Sequence, residues 1–183
     1  MRTDIPEWFL RQELAGRHYH HHPAGFDCGA LGKDSTAVDT AMTFAAAAEV
    51  MKQNATRLES EIQFLKSHQV RVVITDMPSF PLVAARRAGI PAICITNFTW
   101  VEIYAALADR ARAAGEGSLA TAGDDLVKTL REEYANGDLL LIPGMALEMG
   151  ACARQMTIPV IARAGRARRA LLCERLGLDP ELP

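Results

Sequence analysis

RVVITDMPSFPLVAARRAGIPAICITNFTW, residues 71–100, is the stretch on which the fold turns. Arg71 to Thr75 is a short β-branched run without polar alternation, the pattern of a buried strand in a parallel sheet. Asp76-Met77-Pro78 stops it, and Phe80 to Ala88 reads as a helix ended by Gly89. Pro91 to Thr96 is a second buried strand, with a helix from about Trp100 to Ala114 after it. Strands alternating with helices imply parallel pairing through right-handed crossovers.

Working outward, the pattern repeats towards the C-terminus. Gly115-Glu116-Gly117-Ser118 reads as a flexible break, Asp124 to Tyr134 as a helix, and Asp138 to Ile142 as a third strand closed by Pro143-Gly144. Thr157 to Ile161 is expected to be a fourth strand, and Gly165 to Leu176 a last, basic helix carrying Arg166, Arg168 and Arg169, with Arg163 just before it. Towards the N-terminus, Phe44, Ala48, Met51, Ala55, Leu58, Ile62 and Leu65 recur at steps of three and four. They predict one long amphipathic helix from Ser35 to His68, with Asp34 or Ser35 as N-cap. Before it, Glu7 to Leu14 reads as a short helix, Arg17 to His22 as a short strand closed by Pro23, and Gly25 to Gly32 as a loop.

The 183 residues suit one domain, and 49% hydrophobic with 23% charged residues is an ordinary globular composition. A net charge of −2 argues against a nucleic-acid partner. No run is apolar enough to span a membrane, and no signal peptide is evident, so a cytoplasmic setting is expected. The four cysteines (Cys28, Cys94, Cys152, Cys173) are scattered, without metal-ligand spacing, and are expected to stay reduced.

In open parallel sheets ligands gather outside the carboxyl ends of the strands. The segments Asp76-Met77-Pro78-Ser79, Asn97-Phe98-Thr99-Trp100 and Pro143-Gly144-Met145 lie at three such ends. Asp76 can accept hydrogen bonds from ligand hydroxyls, Asn97 can donate and accept, and Trp100 can stack on a sugar or base. The plainer reading stands beside this one: Asp76 and Asn97 also fit simple helix caps. Gly29 to Ser35 looks like a phosphate loop but fails the pattern, because Asp27 stands where the first glycine belongs and Asp34 follows Lys33. His18, His20 and His22 would share one face of a strand, with His21 on the other. A polar strand face accounts for them better than a metal site does.

Taken together, RTDIPEWF, DCGALGKDSTAVD and VVITDMPSFPLVAARRAGIPAICITNFTWVEIYAAL resemble the N-terminal half of GT-B glycosyltransferase-like proteins. The likeness is to the glycosyltransferase-like domain that precedes the sugar-kinase domain in plant L-arabinokinases, and to free-standing bacterial relatives. It is strongest from Asp76 to Tyr104, through Asp76, Pro78, Gly89-Ile90, Asn97-Phe98, Trp100 and Tyr104. The resemblance implies a Rossmann-like α/β domain with a parallel sheet and flanking helices, on the acceptor side of a two-domain architecture. Residues 1–164 would be that partial domain, and 165–183 a linker helix towards a second domain absent from the chain.

The family's opening strand, with the loop that carries its catalytic histidine, has no counterpart here. None of His18, His20, His21 and His22 matches that histidine, and no catalytic residue is carried over. Asp76, Pro78, Asn97, Thr99 and Trp100 transfer as substrate-pocket residues. The implied activity of a full-length protein is sugar transfer from a nucleotide-sugar to an acceptor, with no cofactor. This chain alone is expected to be catalytically incomplete. Two alternatives are a non-catalytic sugar- or partner-binding module and an accessory domain of a sugar kinase. A sheet lacking its first strand would expose unpaired edges, which a second copy of the chain could close as a homo-oligomer.

Overall fold

The computed structural model describes residues 1–162 and 168–179. Helices α1 (Glu7–Glu13) and α2 (Thr40–Ser67) precede strand β1 (Val73–Thr75). Then follow α3 (Phe80–Ala88), β2 (Ala92–Ile95), α4 (Trp100–Ala113), α5 (Gly117–Tyr134), β3 (Leu139–Pro143), β4 (Gln155–Ile158) and α6 (Arg169–Leu176). The four strands form one parallel sheet in the order β1-β2-β3-β4. Ile74 pairs with Ile93, Ile93 with Leu139, and Leu141 with Met156. This is the Rossmann-like α/β sheet flanked by helices expected from residues 71–100.

Side chains alternate between the two faces of each strand. Ala92, Cys94 and Leu140 point into the core, where Phe44, Leu82, Val101, Tyr104, Leu130 and Tyr134 close over them. Burial pushes the Cys94 thiol up to about 12, so it behaves as a small hydrophobe. The other face carries Ile74, Ile93, Ile95, Leu139, Leu141 and Met156. Here the expectation of strands covered on both sides needs correction, since Ile74 is 61% exposed and Met156 52%. With this strand order, successive right-handed crossovers all step the same way and place their helices on one face.

The N-terminal region departs from the sequence reading. Arg17 to His22 is not a strand; among the described residues its one β-bridge is the isolated parallel one between His22 and Arg2. Among the described residues the segment pairs with Met1–Thr3: Met1 N donates to His20 O, His22 N to Met1 O at 2.9 Å and Ala24 N to Thr3 O at 3.2 Å. The histidines do not share one strand face. His22 packs edge-on against Phe64 and His68, whose rings stack at 4.1 Å, and His21 Nε2 meets Thr3 O at 3.0 Å.

The long helix starts at Thr40, capped by Asp39, whose carboxylate accepts from Met42 N at 2.9 Å. Asp34 is unavailable as a cap because its carboxylate accepts from Thr36 N, Thr36 Oγ1 and Ala37 N in its own tight turn. The buried face of α2 also differs from the expected stripe: Ala48 and Ala55 are exposed, and Asn54 and Glu61 are buried. Both polar groups earn their burial through partners on the N-terminal segment. Asn54 Nδ2 donates to Phe26 O at 2.9 Å, and Arg2 donates through Nε and Nη2 to both oxygens of Glu61 at 3.1 and 2.6 Å.

Helix α5 begins at Gly117 instead of Asp124, so the expected break shrinks to Gly115-Glu116. Gly115 supplies the left-handed turn (φ 79°), and Glu116 N closes onto Ala111 O at 2.9 Å. Strand β4 ends at Ile158, earlier than expected, because Pro159 has no N–H for the ladder. The last helix is described from Arg169. Its basic residues Arg163 and Arg166 lie outside the described residues.

Gly123 lets α4 and α5 pack together: a Cβ there would lie 2.6 Å from the Phe44 ring and 2.7 Å from Ala108 Cβ. Gly123→Ala gains about 1 kcal/mol of helix propensity but overpacks this contact at a cost of about 1–3 kcal/mol. A lower urea midpoint is expected, and a higher one would contradict the packing. His22 is held below the ordinary histidine range, first by desolvation and then by His68, the N-terminus, Arg2 and His20. A depressed histidine pKa lets the unfolded chain bind the proton first, so the fold loses stability as pH falls through the histidine range. Between about pH 7.5 and about pH 5.5 the melting temperature should fall less in His22→Gln than in the unaltered protein.

Candidate functional site

The β1–α3 connection turns sharply. Met77 sits in the left-handed region at φ 77°, a conformation that costs a residue with a Cβ about 1–2 kcal/mol. Its neighbours hold it there. Tyr134 Oη donates to Met77 O at 2.5 Å, Thr96 Oγ1 lies 3.1 Å from Met77 Sδ, and Thr75 Oγ1 donates to Pro78 O at 2.9 Å. The same Tyr134 oxygen accepts from Trp100 N at 3.3 Å. One buried phenol from α5 therefore ties the end of β1 to the start of α4, and desolvation raises its pKa so that the hydroxyl keeps its proton.

This arrangement leaves Asp76 exposed beside β1, and it is not a helix cap. Ser79 holds the N-cap position of α3, with its Oγ donating to Glu133 Oε2 at 2.5 Å. Asp76 lines an open cleft of about 530 Å3 together with Pro78, Asp27, Asp4 and the residues of β1. Partial desolvation, then the charge of Asp27, raise the Asp76 carboxyl above the usual range. Asp27 Oδ2 in turn accepts from Trp100 Nε1 at 2.9 Å. Asp76, Asp27 and Trp100 thus form a connected acidic and aromatic corner at the carboxyl ends of β1 and β2.

The remaining expected residues are placed differently. Thr99 is 1% exposed and its hydroxyl serves a capping box with Glu102, so the cap at α4 is Thr99 and not Asn97. Asn97 is exposed, and its C=O accepts from Leu147 N at 2.9 Å; it lines neither this cleft nor the cavity beside it. The Pro143–Met145 loop does not reach them either. Gly144 N donates to Ile158 O, and Met145 projects into solvent.

Further residues, most of them not expected in the pocket, complete the surroundings. A small cavity of about 20 Å3, large enough for one water, is lined by Asp27, Cys28, Asn54, Ser79, Trp100 and Glu133, among others. Asn54 Oδ1, the one buried side-chain polar atom without a partner among the described residues, belongs to this lining residue. Burial raises the Glu133 carboxyl, with the Ser79 hydrogen bond opposing. Asp27 and Cys28 stand in the DCGALGKDSTAVD segment that carries the resemblance, but neither was expected in the pocket. Glu133 is one acid among several on a helix and carried no signal. Among the described residues no group of His, Cys, Asp and Glu could hold a metal ion, and no helix is long and apolar enough to cross a membrane.

These features define a Rossmann-like α/β unit with an open cleft at one sheet edge. No family model matches the chain, and no solved structure does. Among curated proteins it is similar to L-arabinokinase of Arabidopsis thaliana, at 27% identity over 182 residues. The match covers 98% of this chain and 17% of the relative, so the chain corresponds to one region of a much longer protein.

Tyr134→Phe removes the donor to Met77 O and leaves a strained turn with an unpaired carbonyl. A loss of about 1–3 kcal/mol is expected, with faster amide exchange at Trp100, whose N–H also loses its acceptor. Unchanged stability and exchange would show that the phenol is not what holds the two loops.

Proposed function

We propose that the chain is a saccharide-binding module of glycosyltransferase-like ancestry, serving as an accessory region of a sugar-metabolising protein. The observation that carries the reading is the corner made by Asp76, Asp27 and Trp100. Carboxylates accept hydrogen bonds from sugar hydroxyls, and an indole covers the apolar face of a pyranose. Asp76 and Asp27 serve as acceptors and Pro78 as a rigid wall of the cleft, while Trp100, which lines the small cavity beside it and is hydrogen-bonded to Asp27, supplies the stacking face. Asn97 is exposed on the loop leading to α4, outside the cleft and the cavity.

The relative is an L-arabinokinase, and this makes L-arabinose the first ligand to try. The finer reading is that residues 1–164 form the acceptor-side half of a GT-B architecture, with 165–183 leading towards a donor domain. In that arrangement a nucleotide-sugar would meet the acceptor only when the second domain is present. Sugar transfer needs a base at the acceptor hydroxyl and groups that stabilise the leaving diphosphate. Asp76, whose carboxyl is raised by partial desolvation and then by Asp27, stands in the corner with a second carboxyl group and an indole, neither of which is a cation that could stabilise a leaving diphosphate. Binding without transfer is therefore the expected behaviour of the chain alone.

Titration with L-arabinose and a panel of other monosaccharides, followed by NMR at the Trp100 indole N–H, tests this. Saturable shifts are expected, weakened about tenfold or more in Asp76→Asn, and titration calorimetry, which needs no indole signal, should show a similar loss in Trp100→Phe. The reading fails if no saccharide moves that signal, or if the unaltered chain transfers sugar from a nucleotide donor.

A further inference from the structure

Next to β1 the sheet stops inside a groove. In a parallel strand, successive residues direct their N–H and C=O to opposite sides. Val73 N donates to Pro91 O at 2.9 Å, towards β2, so Ile74 presents its N–H and C=O to the unpaired edge. That edge lines the 530 Å3 cleft, together with residues 1–5 and 24–27, which are tied to each other through Ala24 N and Thr3 O. Phe64, Leu65 and Ala84 supply apolar lining. Strand β1 itself bears no charged residue along that edge.

Charge distinguishes the possible occupants. Asp4, Asp27 and Asp76 all line the cleft, and none of them makes an ion pair among the described residues. Of the cations in the lining, Arg2 is already committed to Glu61, and the Met1 ammonium donates to His20 O. A second copy of the chain would bring the same uncompensated carboxylates to the contact, and like charges would oppose it. An extended segment carrying a basic side chain would meet complementary charge and a free main-chain edge together.

We infer that this groove receives an extended, β-branched segment of a separate polypeptide, added alongside β1 as a further strand, with a Lys or Arg side chain at the Asp4, Asp27 and Asp76 end. This is strand addition, in which main-chain hydrogen bonds give affinity and side-chain contacts give selectivity. It does not rest on the saccharide reading, although a strand and a sugar would both draw on Asp76 and Asp27.

The test uses a fluorescein-labelled peptide of alternating Thr and Val or Ile that ends in Lys, with two controls: proline at its centre, and Glu in place of the Lys. Saturable anisotropy is expected with the Lys peptide, along with amide exchange at Ile74 slowed about tenfold or more. The Glu peptide should bind about tenfold more weakly, and the proline peptide should not bind. Asp4→Asn combined with Asp76→Asn should erase the preference for Lys while leaving slowed exchange at Ile74. The inference is overturned if the proline peptide binds as well, or if Ile74 exchange is unchanged at saturation. It is also overturned if Ile74 becomes protected at rising protein concentration without peptide, because a second copy would then fill the groove.

Discussion

With strands in the order β1-β2-β3-β4, each right-handed crossover steps in the same direction, and every connecting helix must land on the same face of the sheet. Much of the molecule follows from that constraint. The covered face can be small and tight, and it is: Ala92, Cys94 and Leu140 sit beneath a layer in which Gly123 lets α5 approach α4 and Phe44. The opposite face keeps rows of isoleucine and leucine partly in solvent, and β1 keeps a free edge. A four-stranded sheet with one covered face buries less than its composition allows. The N-terminal segment offsets part of this by anchoring to α2 through Arg2–Glu61 and Asn54–Phe26, which is why polar residues occupy the buried side of that helix.

The site grows from the same layer. Tyr134, fully buried at the end of α5, reaches the β1–α3 turn and the first N–H of α4 with one oxygen. A phenol that donates to one loop and accepts from the other fixes their separation, and it stabilises a left-handed Met77 that would be unfavourable in isolation. Asp76 is left projecting from that turn, with Asp27 and Trp100 joined beside it. Core packing and site geometry are thus one problem here, because the residue that supports the loops is also part of the hydrophobic centre.

Chain-local chemistry was enough to read the sheet strands, the crossover helices and the loops at the strand ends. β-branched runs bounded by Gly and Pro, and apolar steps of three and four, carry their meaning within a few residues. The Thr99 cap escaped because Thr99, Asn97 and Asp76 are all cap-competent types, and only the chain path selects among them. The histidine strand escaped for a related reason: a strand exists only when a neighbour supplies hydrogen bonds, and among the described residues His20 and His22 find just Met1–Thr3. Glycines at 115 and 117 read as a break, yet Gly117 continues into α5 because the helix gains more from packing on α4 than two glycines cost.

By itself, then, the amino-acid order determined the α/β alternation, the parallel strands and the acidic and aromatic residues at their carboxyl ends, since each depends on local periodicity and turn chemistry. Tertiary structure alone decided which face of the sheet is covered, which polar side chains on α2 are buried, and that Asp27 rather than Asn97 stands with Asp76 and Trp100. Those outcomes depend on contacts between residues far apart in sequence, such as Tyr134 with Met77 and Asp27 with Trp100, whose energies exist only once the helices have packed.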